Sequence, residues 1–306
     1  MQIILKRIGG LICCRLLHYI VMRAEEKLLD NDKKMAYYFH NKEDGYAMRN
    51  KIKSLERGLN ILQVIAKSAR PLTLTEVATS TNLTKTTAYR FLNTLRSLGY
   101  LNQEEGKRYS LGTKILSLGF TFLNSSNLRT MVKPYLNELS TELDKTVNLA
   151  ILDDLDILFL YRKEVRKFLK HDLQAGSKLP AYCTASGKIL LAGLSDEELK
   201  KRISEMEFYQ ISPKTITSRE ILWEDIMETR KRGYSICGQE LSMDLYSLAV
   251  PLLNEQGKID AAFNVSLETK DIERIDIKAI IAKMLEKGEM ISRILGYKGP
   301  YPRFIN

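Results

Sequence analysis

The sequence predicts an α+β protein of two domains: an N-terminal winged helix-turn-helix, then a domain on a mainly antiparallel sheet flanked by helices. Three observations predict it. The stretch LTEVATSTNLTKTTAYRFL at 74–92 has the spacing of two short helices around a tight turn. The formal charge of +10 belongs to one half, since residues 1–115 hold 20 Lys+Arg against 10 Asp+Glu and residues 116–306 hold 27 against 27. From residue 146 onward, the helical apolar period gives way to strand-like runs grouped between helical segments.

The helix-turn-helix is the organising piece. Its first helix is expected at 74–81 and its second at 84–98. Val77, Ala78, Thr81, Leu83, Ala88 and Phe91 are small or apolar where two steeply crossing helices must touch each other and a third. Asn82 takes the turn position that needs a left-handed backbone. Thr84, Lys85, Thr86, Thr87, Tyr89 and Arg90 then face outward, a surface able to donate to phosphates and base edges. With the basic half of the chain around it, double-stranded DNA is the expected partner.

The supporting helix starts near Ser54, a candidate N-cap, with Leu55, Leu59, Leu62, Val64 and Ile65 as its apolar stripe, and ends at Arg70-Pro71. Leu72-Thr73 reads as a short strand. After Gly99, a helix C-cap, 100–102 and 108–111 read as a hairpin around 103–107, placing Lys107 and Arg108 on a wing. The DNA-binding domain is thus set at 51–112, followed by a linker helix at 113–127 and a second domain at 128–300. Residues 1–50 form a poorly defined extension, too interrupted by Lys6, Arg7, Arg15 and His18 for a membrane span. They suit a non-essential tail or an upstream start, with Met35 or Met48 as alternative first residues.

In the second domain, strands are expected at 146–152, 157–161, 168–173, 234–240, 245–253 and 259–267. Helices are expected at 128–143, at 182–194, and after capping boxes at Ser195–Glu198 and Thr217–Glu220. A final amphipathic helix is expected at 272–295. The catalytic inventory is poor: there is no nucleophile elbow, P-loop or dinucleotide fingerprint, and His171 is the domain's one histidine. Asp153, Asp154 and Asp156 read as a solvated turn rather than a metal site, and no cofactor or metal is expected. Cys13, Cys14, Cys183 and Cys237 lack disulfide or zinc spacing and suit a reduced, cytoplasmic protein with no membrane partner.

Two features instead suit a small anionic ligand. A Gly-bounded segment, 176–187, opens a helix whose free N–H groups near Ala185 and Ser186, with the Thr184 and Ser186 hydroxyls, can hold a carboxylate. Cys237, Ser247, Asn264 and Ser266 are isolated small polar residues on apolar strands.

Residues 54–300 resemble the IclR family of bacterial transcription factors. The resemblance rests on SLERGLNIL at 54–62, the winged helix-turn-helix, AGSKLPAYCTASGK at 175–188, and the run from Gly233 to Ser266 that holds GYSICGQE, LYSLAVPL and AAFNVS. It implies a winged domain that also dimerises, a linker helix, and a GAF/PAS-like effector domain, assembled as homodimers or dimers of dimers on operator DNA. It places the effector contacts at Ala185, Ser186, Cys237, Leu245, Ser247, Asn264 and Ser266. Two positions depart from the family pattern: Asp244 stands where Gly is usual, and Cys237 where some members carry an acid. LPAYCTASGK and AAFNVS look most like the branch regulating aromatic-acid breakdown by the β-ketoadipate route, which implies 4-hydroxybenzoate, protocatechuate or β-ketoadipate as effector. The alternatives are a regulator of glyoxylate or sugar-acid use, a thiol-based redox sensor pairing Cys183 with Cys237, or an enzyme using one of those thiols as nucleophile.

Overall fold

The computed structural model describes residues 52–125, 127–165 and 173–301, which fall into two compact units divided between Ile115 and Leu116.

In the first unit, α1 (Lys53–Lys67), α2 (Leu74–Ser80) and α3 (Lys85–Ser97) surround a core of Ile61, Ile65, Val77, Leu92, Leu101 and Tyr109. Helix α2 carries a reciprocal cap that the sequence reading missed. Thr73 Oγ1 accepts from Glu76 N at 3.3 Å while Glu76 Oε2 accepts from Thr73 N at 2.7 Å. Arg70 reaches the same carboxylate at 2.5 Å; that bond, then the two from Thr73, holds Glu76 down to about 2. Asn82 has φ 52°, as the turn requires. A three-stranded antiparallel sheet orders β1 (Leu72–Thr73), β3 (Arg108–Leu111) and β2 (Leu101–Glu104), and β2 and β3 form the wing through a turn with Gly106 at φ 73° and Lys107 at φ 56°.

Helix α1 departs from expectation in two ways. It begins one residue before Ser54, with Ile52 as N-cap and no side-chain cap bond. Of its expected apolar stripe, Ile65 is buried and Leu62 and Val64 are partly so, with Ile61 joining them in the core, but Leu55 and Leu59 remain 60% and 51% exposed beside Ile52.

The second unit is a six-stranded antiparallel sheet in the order β6-β5-β4-β9-β8-β7. Its strands are β4 (Thr146–Asp153), β5 (Asp156–Lys163), β6 (Lys178–Pro180), β7 (Ser235–Gly238), β8 (Leu245–Leu253) and β9 (Ile259–Glu268). Alternation along the strands feeds two cores. On one face Val147, Leu149, Val250, Phe263 and Val265 pack under α5 (Asn127–Leu143) and α9 (Ile277–Ile294). On the other, Ala150, Ile157, Phe159, Ala249 and Ala262 pack under α6 (Ala185–Ala192), which is wholly buried, with α7 (Asp196–Glu205) and α8 (Arg219–Arg232) outside it. Helix α4 (Thr113–Ser125) precedes α5 and leaves Leu116, Leu118 and Phe120 exposed.

Several elements differ from the sequence reading. Strand β6 lies within the Gly-bounded segment 176–187, where no strand is expected. The strand expected at 168–173 falls on 166–172, outside the described residues, apart from Leu173, which is not in a strand. The helix expected from 182 starts as a 3₁₀ turn, Ala181–Cys183, because Thr184 is the cap: its Oγ1 accepts from Gly187 N at 3.1 Å. Ser218, not Thr217, caps α8, accepting from Ile221 N at 3.3 Å, and Glu220 is drawn to the Ser218 hydroxyl instead of closing a box. Asp276 caps α9 through Ala279 N, so that helix starts five residues later than its apolar pattern. Asp153 pairs with Lys178 and Asp154 with Arg202 at 3.2 Å, leaving that turn as ion-paired surface.

Candidate functional site

On the first unit, α3 presents the predicted reading face. Lys85, Thr86, Tyr89 and Arg90 are exposed and Thr87 is half-buried. Ala88 and Leu92 anchor the opposite side in the core, which sets the phase of the helix. Thr84 is engaged as N-cap: its Oγ1 accepts from Thr87 N at 3.3 Å and donates to Thr87 Oγ1 at 2.9 Å. On the wing, Lys107 is exposed at the turn, whereas Arg108 folds back, donating to Pro71 O at 3.3 Å and lying 3.9 Å from Glu76.

On the second unit, a cavity of about 30 Å³ lies between the start of α6 and the sheet. Its lining brings together Ala185, Ser186, Leu245, Ser247, Asn264 and Ser266 from segments separated by up to 81 positions of chain. Register explains the convergence. Asn148 on β4 pairs with Asn264 on β9, and Ser266 pairs with Ser247 on β8, so one row of small polar side chains runs across three strands on the α6 side. They bond to one another: Ser186 Oγ donates to Asn264 Oδ1 at 3.1 Å, Asn148 Nδ2 to the same oxygen at 3.2 Å, and Asn264 Nδ2 to Ser266 Oγ at 3.3 Å. Beside this row, Ile157 and Phe159 on β5 and Leu179 on β6, with Leu241, make an apolar wall. Because Thr184 takes the Gly187 N–H, the helix geometry leaves the N–H groups of Ala185 and Ser186 as the free donors of this end.

Cys237 is not part of the lining. It pairs with Ser247 one strand further out and is 3% exposed beneath α6, where its thiol donates to Cys183 O at 3.2 Å. The Asp244 departure is conformationally silent, since the left-handed residue of that loop is Gln239, at φ 64°. Two polar lining residues were absent from the sequence reading, Asn148 and Arg162, along with the apolar wall. Arg162 was missed because the strand was expected to end at 161, whereas β5 runs to Lys163. A cation directly after an apolar strand was the available signal.

Beside the cavity lies a buried ion cluster. Lys188 on α6, 1% exposed, pairs with Glu240 and, at 2.7 Å, with Asp225 of α8. Burial opposes its charge, but the neighbouring Glu240 and Asp225 carboxylates outweigh that and leave its pKa above the ordinary lysine value. Burial also pushes the Cys183 thiol up to about 12 and Cys237 well above its usual value. Both thiols are therefore held protonated, the wrong state for a nucleophile or a fast redox sensor.

The chain matches the family model for the IclR helix-turn-helix domain over residues 54–105 and that for the bacterial transcriptional regulator IclR C-terminal domain over 120–293. It is 34% identical over 226 residues to the Pca regulon regulatory protein of Pseudomonas putida, covering 74% of this chain and 77% of that one. It is 29% identical over 227 residues to the p-hydroxybenzoate hydroxylase transcriptional activator of Acinetobacter baylyi, covering 72% and 83%. Its fold is similar to that of an IclR homologue from Microbacterium hydrocarbonoxydans crystallised with 4-hydroxybenzoate, at TM-score 0.66, 20% identity, 79% of this chain and 98% of that chain. These relatives are regulators, not enzymes, and among the described residues no helix is long and apolar enough to cross a membrane. The chain belongs to the IclR family of DNA-binding bacterial transcriptional regulators.

Proposed function

We propose that the protein is a cytoplasmic regulator whose operator binding or activation is controlled by a small carboxylate, an aromatic acid or another metabolite of the β-ketoadipate route. The observation that carries this reading is the cavity, where a row of small polar groups and a helix N-terminus meet an apolar wall. The polar side suits a carboxylate or hydroxyl, and the wall suits a ring or hydrocarbon chain better than a sugar acid rich in hydroxyls. The names of the P. putida and A. baylyi relatives, and the 4-hydroxybenzoate in the M. hydrocarbonoxydans structure, point the same way. At about 30 Å³ the cavity has room for about two waters, so a benzoate enters only as the walls move apart.

That movement supplies a route to DNA. Strand β5 lines the cavity with Phe159 and holds α5 from its other face: Tyr161 OH donates to Asn137 Oδ1, and Lys163 Nζ donates to Asn137 O at 3.1 Å and Thr141 Oγ1 at 2.8 Å. Helix α5 follows directly on α4, the helix that joins the two units. A ligand that favours one position of β5 thereby biases the placement of the winged domains and their half-site spacing. The exposed apolar residues of α1 (Ile52, Leu55, Leu59) and α4 (Leu116, Leu118, Phe120) are the faces on which a second copy docks to form the homodimer, singly or as a dimer of dimers.

In the bound state Thr86, Thr87, Tyr89 and Arg90 enter the major groove. Thr84 and Lys85 lie at the helix start beside the phosphates, with Lys107 and Arg108 holding the backbone from the wing. Arg90→Ala weakens operator binding by about 1–3 kcal/mol in a titration at fixed salt. Unchanged affinity and sequence preference would remove Arg90 from the reading face. A melting-temperature screen with 4-hydroxybenzoate, protocatechuate and β-ketoadipate shows stabilisation by one of them, which Ser247→Ala abolishes while ligand-free DNA binding persists. No shift with any of the three overturns the effector class, and loss of DNA binding in Ser247→Ala overturns the cavity assignment.

A further inference from the structure

We propose that Arg162 is the counter-charge for the effector's carboxylate, and that Glu164 competes with the effector for it. The proposal rests on the carboxylate-effector reading above and adds a residue and a direction of binding to it.

Among the described residues, Arg162 is the one charged side chain lining the cavity. Its side chain is only 6% exposed. Nη1 donates to Asn148 Oδ1 at 2.8 Å, which ties the guanidinium to the polar row of Asn148, Asn264 and Ser266. Nη2 donates to Glu164 Oε1 at 2.6 Å. The Nε–H, buried in the wall, has no acceptor among the described residues. A buried charged donor without an acceptor is costly, and few solutes supply what it lacks as well as a carboxylate does.

The geometry of the fork decides which edge is used. Nε–H and the neighbouring Nη2–H form one side of the guanidinium, the side on which a carboxylate binds with two parallel bonds. Asn148 occupies the other nitrogen and is itself locked between Asn264 and Ser266. Glu164 holds the bidentate edge by a single oxygen and is 39% exposed, so it can withdraw to water at little cost. The free side of Arg162 is therefore blocked only by a surface carboxylate that the effector's carboxylate can replace. The serines and asparagines of the row contribute dipoles, and the α6 start a partial charge; Arg162 supplies the full positive charge that a desolvated carboxylate needs.

The experiment is calorimetric titration of the full-length protein with 4-hydroxybenzoate and with its uncharged analogue 4-hydroxybenzamide. Arg162→Gln weakens binding of the acid by at least about 30-fold, the size expected when one partner of a buried charge pair is removed, and leaves the amide unchanged. Arg162→Lys, which keeps the charge but loses the fork, falls between wild type and Arg162→Gln. Glu164→Gln tightens the acid by about 2- to 5-fold with no effect on the amide, and serves as the test should Arg162→Gln fold poorly. Acid binding by Arg162→Gln equal to wild type overturns the proposal and leaves the effector reading standing. So does acid binding by Glu164→Gln unchanged or weakened. Equal loss of acid and amide in a folded Arg162→Gln assigns the residue a purely structural role. Wild-type protein that binds neither probe removes the effector reading, and this proposal with it.

Discussion

Replacing Lys188 with Met lowers the stability of the effector domain by about 3–5 kcal/mol, the range found when one partner of a buried ion pair is removed. The side chain is 1% exposed, and its ammonium serves two carboxylates, Glu240 at 8% and Asp225 at 25% exposure. Methionine fills nearly the same volume, so the loss is electrostatic rather than a cavity. What remains is Glu240, charged and desolvated, with one oxygen already unpartnered in the native protein. Asp225 suffers less, because it is a quarter exposed and has Arg232 at 3.9 Å. The double variant Lys188→Met/Glu240→Leu recovers most of the loss, since an apolar pair of similar shape carries no buried charge. The measurement is a urea titration followed by the fluorescence of Trp223, the chain's single tryptophan, on the α8 side of the same sheet face. A loss below about 1 kcal/mol in the single variant, or no recovery in the double, would show that water or a shifted proton already relieves the cluster.

Gly187→Ala is the second large effect, expected at about 3 kcal/mol, the upper end for overpacking. A Cβ at this position lies 2.1 Å from Ala181 O and 2.4 Å from Ala181 Cα, both backbone atoms that no rotamer change can move. The contact exists because the 3₁₀ turn Ala181–Cys183 folds tightly over the first turn of α6, which in turn lets Thr184 cap Gly187 N and Ser186 reach Asn264. Relief of the clash displaces the helix start that forms one wall of the cavity. The variant therefore melts at lower temperature, and its residual folded population loses the stabilisation by acid while still binding operator DNA. A Gly187→Ala protein with wild-type melting and ligand response would mean that the two backbones part without cost.

The helix-turn-helix was legible in the sequence because everything that specifies it is local. Asn82 at the left-handed turn and Ala88 on the core side of α3 were readable within a single stretch, although Thr84, expected on the outward face, also serves as the cap. The caps were less legible, because Ser-Thr runs offer neighbouring hydroxyls and the backbone path chooses among them, as Ser218 over Thr217 shows. The exposed half of α1 was misread for a different reason: an apolar stripe records that a face will be covered, not whether its own core or another surface covers it.

For the cavity, the sequence by itself determined that Ser186, Ser247, Asn264 and Ser266 were small polar residues on otherwise apolar elements. It also determined that Ala185 and Ser186 open a helix. Only the tertiary structure decided which side chains meet. Simple alternation from Ile157 would turn Arg162 toward the α5 face with Leu158 and Leu160. Instead, Leu149 pairs with Tyr161 and Ala150 with Phe159, leaving Leu160 as an extra residue between them. That bulge puts both Leu160 and Tyr161 on the α5 face and swings Arg162 round into the cavity. A one-residue slip in pairing is invisible in the strand that contains it, because it is set by the partner strand, and here it decides where the positive charge of the site lies.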